Sequence, residues 1–318
     1  VHRIAVLDDY QSVAASFCDW SQLPEPAEVV EFHDAVADPD ALVARLRPFD
    51  VVLAMRERTR FPREVLERLP DLRLLVTTGM RNKSIDVTAA TELGITVCGT
   101  GSQTTATAEL TWALILATLR HVPQEDASIR AGGWQQTLGG DLAGGTLGVV
   151  GLGRLGSQVA RIGAAFGMDV VAWSQNLTDE RAAECGARRV GKEELFATAD
   201  VVTVHLVWSK RTRGLITAAD LARMKPTAVF VNTSRGPIVE EAALIDVLRE
   251  GRIAGAGIDV YDTEPLPRDH PLRELRRAVL TPHLGYVTRG SYEIYYREAV
   301  EDVAAWLSGR PLRVIRPG

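Results

Sequence analysis

Cysteine is scarce in this chain: Cys18, Cys98 and Cys185 are the only three in 318 residues. They are odd in number, far apart and without a Cys-x-x-Cys pair, which argues against a disulfide framework and against a thiolate zinc site. No metal is expected. Long apolar runs are missing too, and none reaches the roughly 20 residues that a bilayer-spanning helix needs. The chain opens directly into a strand pattern at Arg3–Leu7, with no charged-then-apolar leader, so a cytoplasmic location and no membrane partner are the expectation. Nor does charge of one sign dominate. Lysine and arginine number 36 against 41 aspartates and glutamates, a net charge of −5. The signs are interleaved, even around the arginines at 56–60 and 273–277, leaving no basic stripe for nucleic acid and no polyanionic tail. Internal repeats and low-complexity tracts are also absent.

What is present is a strand–helix alternation along most of the chain. Strand patterns at Arg3–Leu7, Glu28–Phe32, Val51–Ala54, Leu72–Val76 and Ile95–Val97 alternate with helical ones at Asp40–Leu46, Pro62–Leu69 and Ser84–Leu93. That rhythm predicts an α/β domain, and the length predicts two. A small, polar stretch, Gly99–Thr105, suits a crossing between them. The next helix, about Thr107–Arg120, is apolar nearly all round, and a helix without a polar face is buried on several sides, as at a domain or subunit interface. Near the end, Val300, Val303, Ala304 and Leu307 share a face of a helix at Ser291–Ser308 that is expected to return to the first domain. The expected architecture is two Rossmann-like or flavodoxin-like domains with parallel sheets. Residues 102–286 form a dinucleotide-binding domain inserted into a discontinuous substrate domain, 1–101 and 287–318.

The cofactor argument rests on Thr146–Val150, a buried-strand pattern followed at once by Gly151-Leu-Gly153-Arg154-Leu155-Gly156 and an amphipathic helix. The first glycine allows the tight turn, the second lets a pyrophosphate approach the backbone, and the third lets the helix pack closely on the sheet. Between a strand and a helix this motif is specific; alone it would be weak. At the ribose position the strand Val170–Trp173 ends in Ser174-Gln175-Asn176. No carboxylate is there to repel a 2′-phosphate and no arginine to pair with one, so NADP or NAD is the expected cofactor, with the lean toward NADP.

Three further strand patterns, Thr227–Val231, Ala254–Val260 and Ala278–Leu280, are each followed by a chemically capable residue: Arg235, Glu264 and His283. Residues beyond strand carboxyl ends converge on the ligand crevice of a parallel sheet. A cation, an acid and an imidazole beside a dinucleotide point to hydride transfer to or from an anionic keto acid. Taken singly, each has a structural reading as a strand cap, a turn acid or a core histidine. His205 ends the strand Val201–Val204 near the cofactor, but no acid is placed to orient it for proton transfer.

The chain resembles the D-isomer-specific 2-hydroxyacid dehydrogenases in LGVVGLGRLG (147–156), DVVTVHL (200–206), MKPTAVFVNTSRGPI (224–238), GIDVYDTEP (257–265) and TPHLG (281–285), with weaker likeness in GITV (94–97) and ATAEL (106–110). The resemblance implies that His283 is the general acid/base, that Glu264 orients its ring and favours its protonated form, and that Arg235 binds the substrate carboxylate and polarises the carbonyl. It also implies cofactor contacts from Gly151, Gly153, Arg154, Leu155, Gly156, Ser174, His205, Thr233, Asp259 and Gly285. For Asp259, a contact to the nicotinamide carboxamide stands beside strand-end capping. Substrate contacts are implied for Arg235 and for Thr78, Gly79 and Met80, whose backbone N–H groups would hold the carboxylate. The partner is a small 2-oxo or 2-hydroxy acid, with glyoxylate or hydroxypyruvate as the first choice, and a homodimer is expected through Thr107–Arg120 and the neighbouring loop.

The chain departs from the family pattern at three places. Gly79-Met-Arg-Asn-Lys-Ser replaces a Gly-x-Gly-x-Asp loop, Val207 stands after His205 where His-x-Pro is usual, and a bulky Tyr286 follows Gly285. Tyr286 would narrow the site or stack near the nicotinamide. Trp134 is read as packing on the surface, and Arg56 and Arg58 as a solvated loop or as a grip on a second acidic group. Two rival functions remain: a nucleotide-sensing binding protein of the corepressor type, and a dehydrogenase of another small oxyanion such as phosphite.

Overall fold

The computed structural model describes residues 1–317 and divides into two compact units. The first comprises Val1–Gln103 with the chain from Thr288 onward; the second is Thr104–Val287.

In the first unit, strands β1 (His2–Val6), β2 (Ala27–Glu31), β3 (Val51–Ala54), β4 (Leu74–Thr77) and β5 (Thr96–Gly99) form an all-parallel sheet in the order β2-β1-β3-β4-β5. This is a flavodoxin-like order with its switch point between β1 and β3. Both β3 and β4 are buried along their whole length, as a sheet covered on both faces requires. The helix Arg289–Leu307 packs on β4 and β5. Beyond it the chain returns to the sheet edge, where Gly99 donates to the Arg313 carbonyl and Ile315 donates to that of Val97.

The second unit contains β6 (Thr146–Val150), β7 (Asp169–Trp173), β8 (Arg188–Arg189), β9 (Val201–Val204), β10 (Val229–Asn232), β11 (Gly255–Ile258) and β12 (Ala278–Leu280). All pair in parallel, in the order β12-β11-β10-β9-β6-β7-β8. Read outward from β6, this is the Rossmann order with one added strand, and the switch point lies between β6 and β9. Two-residue β8 gives no hydrophobic signal and went unforeseen, as did the helix Val122–Arg130, which has no buried residue.

The apolar helix occupies Ala106–Leu119. Its burial arises inside the unit, because it packs on β10, β11 and β12 and on the helix Arg154–Ala165. Trp112 and Ile115 enter the same core as Leu147, Val149 and Val231. No partner is needed to explain its composition. Trp134 corrects another expectation: it is 72% exposed and does not pack down on the surface.

Candidate active site

The turn after β6 is shaped by its glycines in different ways. Gly151 has φ +100, a left-handed backbone that favours glycine, and a side chain there would meet the His205 carbonyl. A methyl on Gly156 would overlap the Gly151 carbonyl oxygen, so that position serves helix-to-turn packing. Gly153 faces open space. It also begins the helix Arg154–Ala165 with no side-chain cap and no acid in the first turn. Uncapped N–H groups and an exposed Arg154, a cation where the helix dipole disfavours one, fit an anion bound at this end. The chain's own residues thus suit a dinucleotide pyrophosphate. Leu155 is half-buried in the same turn, and Ser174 is half-buried beyond β7 with Gln175 and Asn176 exposed.

Across the switch point, His205 donates its backbone N–H to Val150, and its Nε2 lies 2.9 Å from the Thr203 hydroxyl. Burial pushes its imidazole down to about 4. It is therefore neutral at working pH, and the side chain it meets is a hydroxyl rather than an acid. Val207 is 74% exposed.

The turn after β10 carries Arg235. Asn232, buried at the strand end, accepts from the Ser234 N–H at 3.0 Å and donates to the Arg235 carbonyl at 3.1 Å. The Ser234 hydroxyl donates to the Leu206 carbonyl, tying this turn to the one after β9. The hydroxyl of Thr233, a residue expected among the cofactor contacts, lies 2.7 Å from that of Thr111. The Arg235 guanidinium donates to the Ser234 carbonyl, and its charge acts on Glu264.

Glu264 and His283 are brought together, with Nδ1 2.6 Å from Oε2. The other oxygen of Glu264 accepts from the Tyr261 N–H at 2.9 Å. Burial alone would raise this carboxyl, but the hydrogen bond and charge of His283, the Tyr261 amide and Arg235 outweigh it and hold Glu264 below its ordinary value. His283 itself has φ +55, a left-handed conformation uncommon for a non-glycine residue.

Asp259, fully buried after β11, holds the His283 loop in that shape. Its carboxylate accepts from the Thr281 hydroxyl, Leu284 N–H and Gly285 N–H, and its carbonyl accepts from the His283 N–H. Burial raises this carboxyl, opposed by those bonds and by the charge of His283. The Gly285 carbonyl accepts from Thr107 at 2.9 Å. Asp259 and Gly285 are thus engaged in holding the loop. Tyr286 stands edge-on to the His283 ring, with centroids 5.5 Å apart and planes at 66°.

In the first unit, Thr78 N–H donates to Ala54 and Gly79 N–H donates to the Thr100 hydroxyl. Two of the three backbone donors expected to hold a carboxylate thus already have partners inside the unit. Met80 is 46% exposed. Against this loop lies Arg56, whose guanidinium donates to the Thr78 carbonyl at 3.3 Å and whose backbone N–H donates to the Thr78 hydroxyl. Arg58 donates to the Asp8 carbonyl and lies over the Tyr10 ring, so it belongs to a structured cluster and not to a solvated loop.

Asn232, Ser234, Thr107 and Thr111 were missed by sequence reasoning. The Asn-x-Ser spacing before Arg235 was the available signal for the first two; the threonines are hidden in an apolar helix. Among the described residues no helix is long and apolar enough to cross a membrane, and no group of three histidines, cysteines or acids could hold a metal.

Residues 112–285 match the model of the D-isomer specific 2-hydroxyacid dehydrogenase NAD-binding domain. The chain is 39% identical over 293 residues to a glyoxylate reductase of Aeropyrum pernix, covering 88% of this chain and 87% of that one. It is 35% identical over 288 residues to a D-3-phosphoglycerate dehydrogenase of Bacillus subtilis, covering 90% of this chain and 54% of the other. The chain thus spans about half the length of such phosphoglycerate dehydrogenases. A crystal structure of a phosphoglycerate oxidoreductase from Vibrio cholerae superposes with a TM-score of 0.92 at 40% identity, covering 97% of this chain and all of that one. The nucleotide turn, the strand order and these similarities agree: the chain belongs to the D-isomer specific 2-hydroxyacid dehydrogenase family.

Proposed function

We propose that this chain is an NAD(P)-dependent oxidoreductase that interconverts a small 2-oxo acid and its D-2-hydroxy acid. The observation that carries the reading is the Glu264–His283 pair beyond the carboxyl ends of the β11 and β12 strands, within the electrostatic reach of Arg235. A bound nicotinamide supplies the hydride to the carbonyl carbon, or accepts it in the reverse direction. His283 gives the proton to the carbonyl oxygen from Nε2, the nitrogen turned away from Glu264, and takes it back in oxidation. Glu264 fixes the ring and stabilises its positive form. Arg235 binds the carboxylate and polarises the carbonyl through its planar fork.

Gly151, Gly153, Arg154, Leu155, Gly156, Ser174, His205, Thr233, Asp259 and Gly285 are proposed to surround the cofactor, Thr233, Asp259 and Gly285 mainly by shaping the surface against it. NADP is proposed as the preferred cofactor because Ser174–Asn176 carry no acid to repel its 2′-phosphate. Glyoxylate and hydroxypyruvate are the proposed substrates. A second reading, a phosphorylated 2-hydroxy acid, is favoured by Arg56 standing against the Thr78–Gly79 loop. Homodimer formation is proposed through the 107–120 helix and the following segment, which exposes Trp134 and Leu138; a cytoplasmic location is proposed with it.

The test is kcat/KM for a panel of 2-oxo acids, phosphorylated and not, with NADH and with NADPH. Turnover of a member supports the oxidoreductase, and the cofactor ratio decides NADP against NAD. Tight cofactor binding without turnover of any member would instead support the nucleotide-sensing reading.

A further inference from the structure

Glu264 is held from one side by the Tyr261 N–H, and the next peptide along the same turn is held from the other side. The Asp262 N–H donates to Glu241 at 3.2 Å. Glu241 begins the helix Glu241–Arg249, and its other oxygen lies 3.0 Å from His270 Nε2. At the opposite ring nitrogen, His270 Nδ1 accepts the Leu272 N–H that opens the short helix Pro271–Glu274. With Nδ1 accepting, the ring proton sits on Nε2 and is donated to Glu241. Both side chains are largely buried, 14% and 19% exposed.

The peptide between Tyr261 and Asp262 is also where the Arg235 turn makes contact. A methyl on Gly236 would overlap the Tyr261 carbonyl and the Asp262 nitrogen. The Tyr261–Asp262 peptide therefore touches the residue after Arg235 and hangs from Glu241 through the Asp262 N–H, while the peptide just before it orients Glu264 through the Tyr261 N–H. The charged groups acting on the Asp262 side chain are Glu241, Arg213 and His270.

We propose that His270 and Glu241 are positioning residues: they hold the 261–264 turn so that Glu264 meets His283 and Gly236 seats the Arg235 turn. The inference rests on the functional reading above for its catalytic consequence, but the positioning itself is measurable in the free protein. Misplacement of a catalytic group by a fraction of an ångström to one ångström costs on the order of tenfold to a hundredfold in rate.

The test compares H270Q, whose amide N–H can reach Glu241, with H270N, which can cap Leu272 but is too short for Glu241, and with E241Q. The readouts are the pH profile of kcat/KM, the melting temperature, and the downfield NMR proton of the His283–Glu264 bond in the cofactor-free protein, identified by its loss in E264Q. H270N and E241Q are expected to lower kcat/KM by tenfold to a hundredfold, alter its pH profile and shift the downfield proton, with H270Q restoring all three. Equal losses of stability in H270Q and H270N, with the wild-type pH profile and downfield proton kept, would overturn the proposal and leave the pair a fold-stabilising contact. If H283A and E264Q keep full turnover, the catalytic reading falls instead, while the NMR signal still decides whether His270 positions Glu264.

Discussion

Replacing Glu264 with glutamine changes one atom and tests the centre of the site. The carboxylate accepts two hydrogen bonds, from Tyr261 N–H on one oxygen and from His283 Nδ1 on the other. An amide has one acceptor. If its oxygen keeps the Tyr261 N–H, its NH₂ faces Nδ1 and forces the ring into the opposite tautomer. Loss of a charge-assisted hydrogen bond costs about 1.5–3 kcal/mol, a tenfold to hundredfold effect on rate. Forcing the wrong tautomer in a comparable His–acid pair costs about 10⁴ in kcat. Glu264 and His283 side chains are 35% and 21% exposed, so water moderates the charge effect, and a loss of kcat on the order of 10²–10³ is expected.

The pH dependence has a defined sign. Glu264 is held below its ordinary value, so it is charged across the working range and favours the protonated ring beside it. Its contribution to stability is present above the unfolded carboxyl value, about 4.3, and is lost as pH falls through the lower folded one. The assay is steady-state reduction of the best 2-oxo acid from pH 5 to 10, with NADPH binding followed by fluorescence. Turnover within twofold of wild type at every pH, with normal cofactor affinity, would refute the assignment of Glu264.

Arg235→Ala should raise KM and lower kcat together, and Arg235→Lys should recover little, since an ammonium lacks the two-point fork; recovery by lysine in steady-state kinetics would count against bidentate binding. Gly153→Ala should keep the wild-type melting temperature, because the added methyl meets open space, while weakening NAD(P)H binding measured by titration. Gly156→Ala should lower the melting temperature, because its methyl overlaps the Gly151 carbonyl; equal effects of the two glycines on stability would contradict the division between cofactor and packing roles. Asp302, fully buried and bonded to Arg313, is raised by burial to about 7. As pH rises from the unfolded aspartate value, about 3.9, toward 7, this group lowers stability, because the unfolded chain ionises first. Melting curves of Asp302→Asn should therefore exceed wild type at pH 8 by more than at pH 4, and a constant difference would disprove the assignment.

The fold was legible because its signals are local. Short, β-branched runs such as Val51–Ala54 and Val201–Val204 read as strands buried on both faces, and Gly151-x-Gly153-x-x-Gly156 between a strand and a helix has one good physical explanation. Short or polar elements were invisible: β8 is two arginines, and Val122–Arg130 has no buried face. The apolar helix was read correctly as buried, and neighbours inside its own unit cover much of it. Periodicity reports that a face is covered, never by what.

At the site, sequence alone determined the chemical inventory: which strands end in an arginine, an acid and an imidazole, and that a dinucleotide turn precedes them. Only the tertiary structure decided the partners. Asp259 clamps the loop that carries His283 in a left-handed conformation, the Thr78 and Gly79 amides are used internally, Tyr286 stands against the His283 ring, and the Glu241–His270 pair reaches the turn of Glu264. The physical reason is the range of the interactions. Strand patterns and glycine turns follow from neighbours within a few residues, whereas most of these contacts join residues about 20 or more positions apart, such as Glu264 with His283 or Glu241 with His270, and exist only once the parallel sheet has brought its strand ends together.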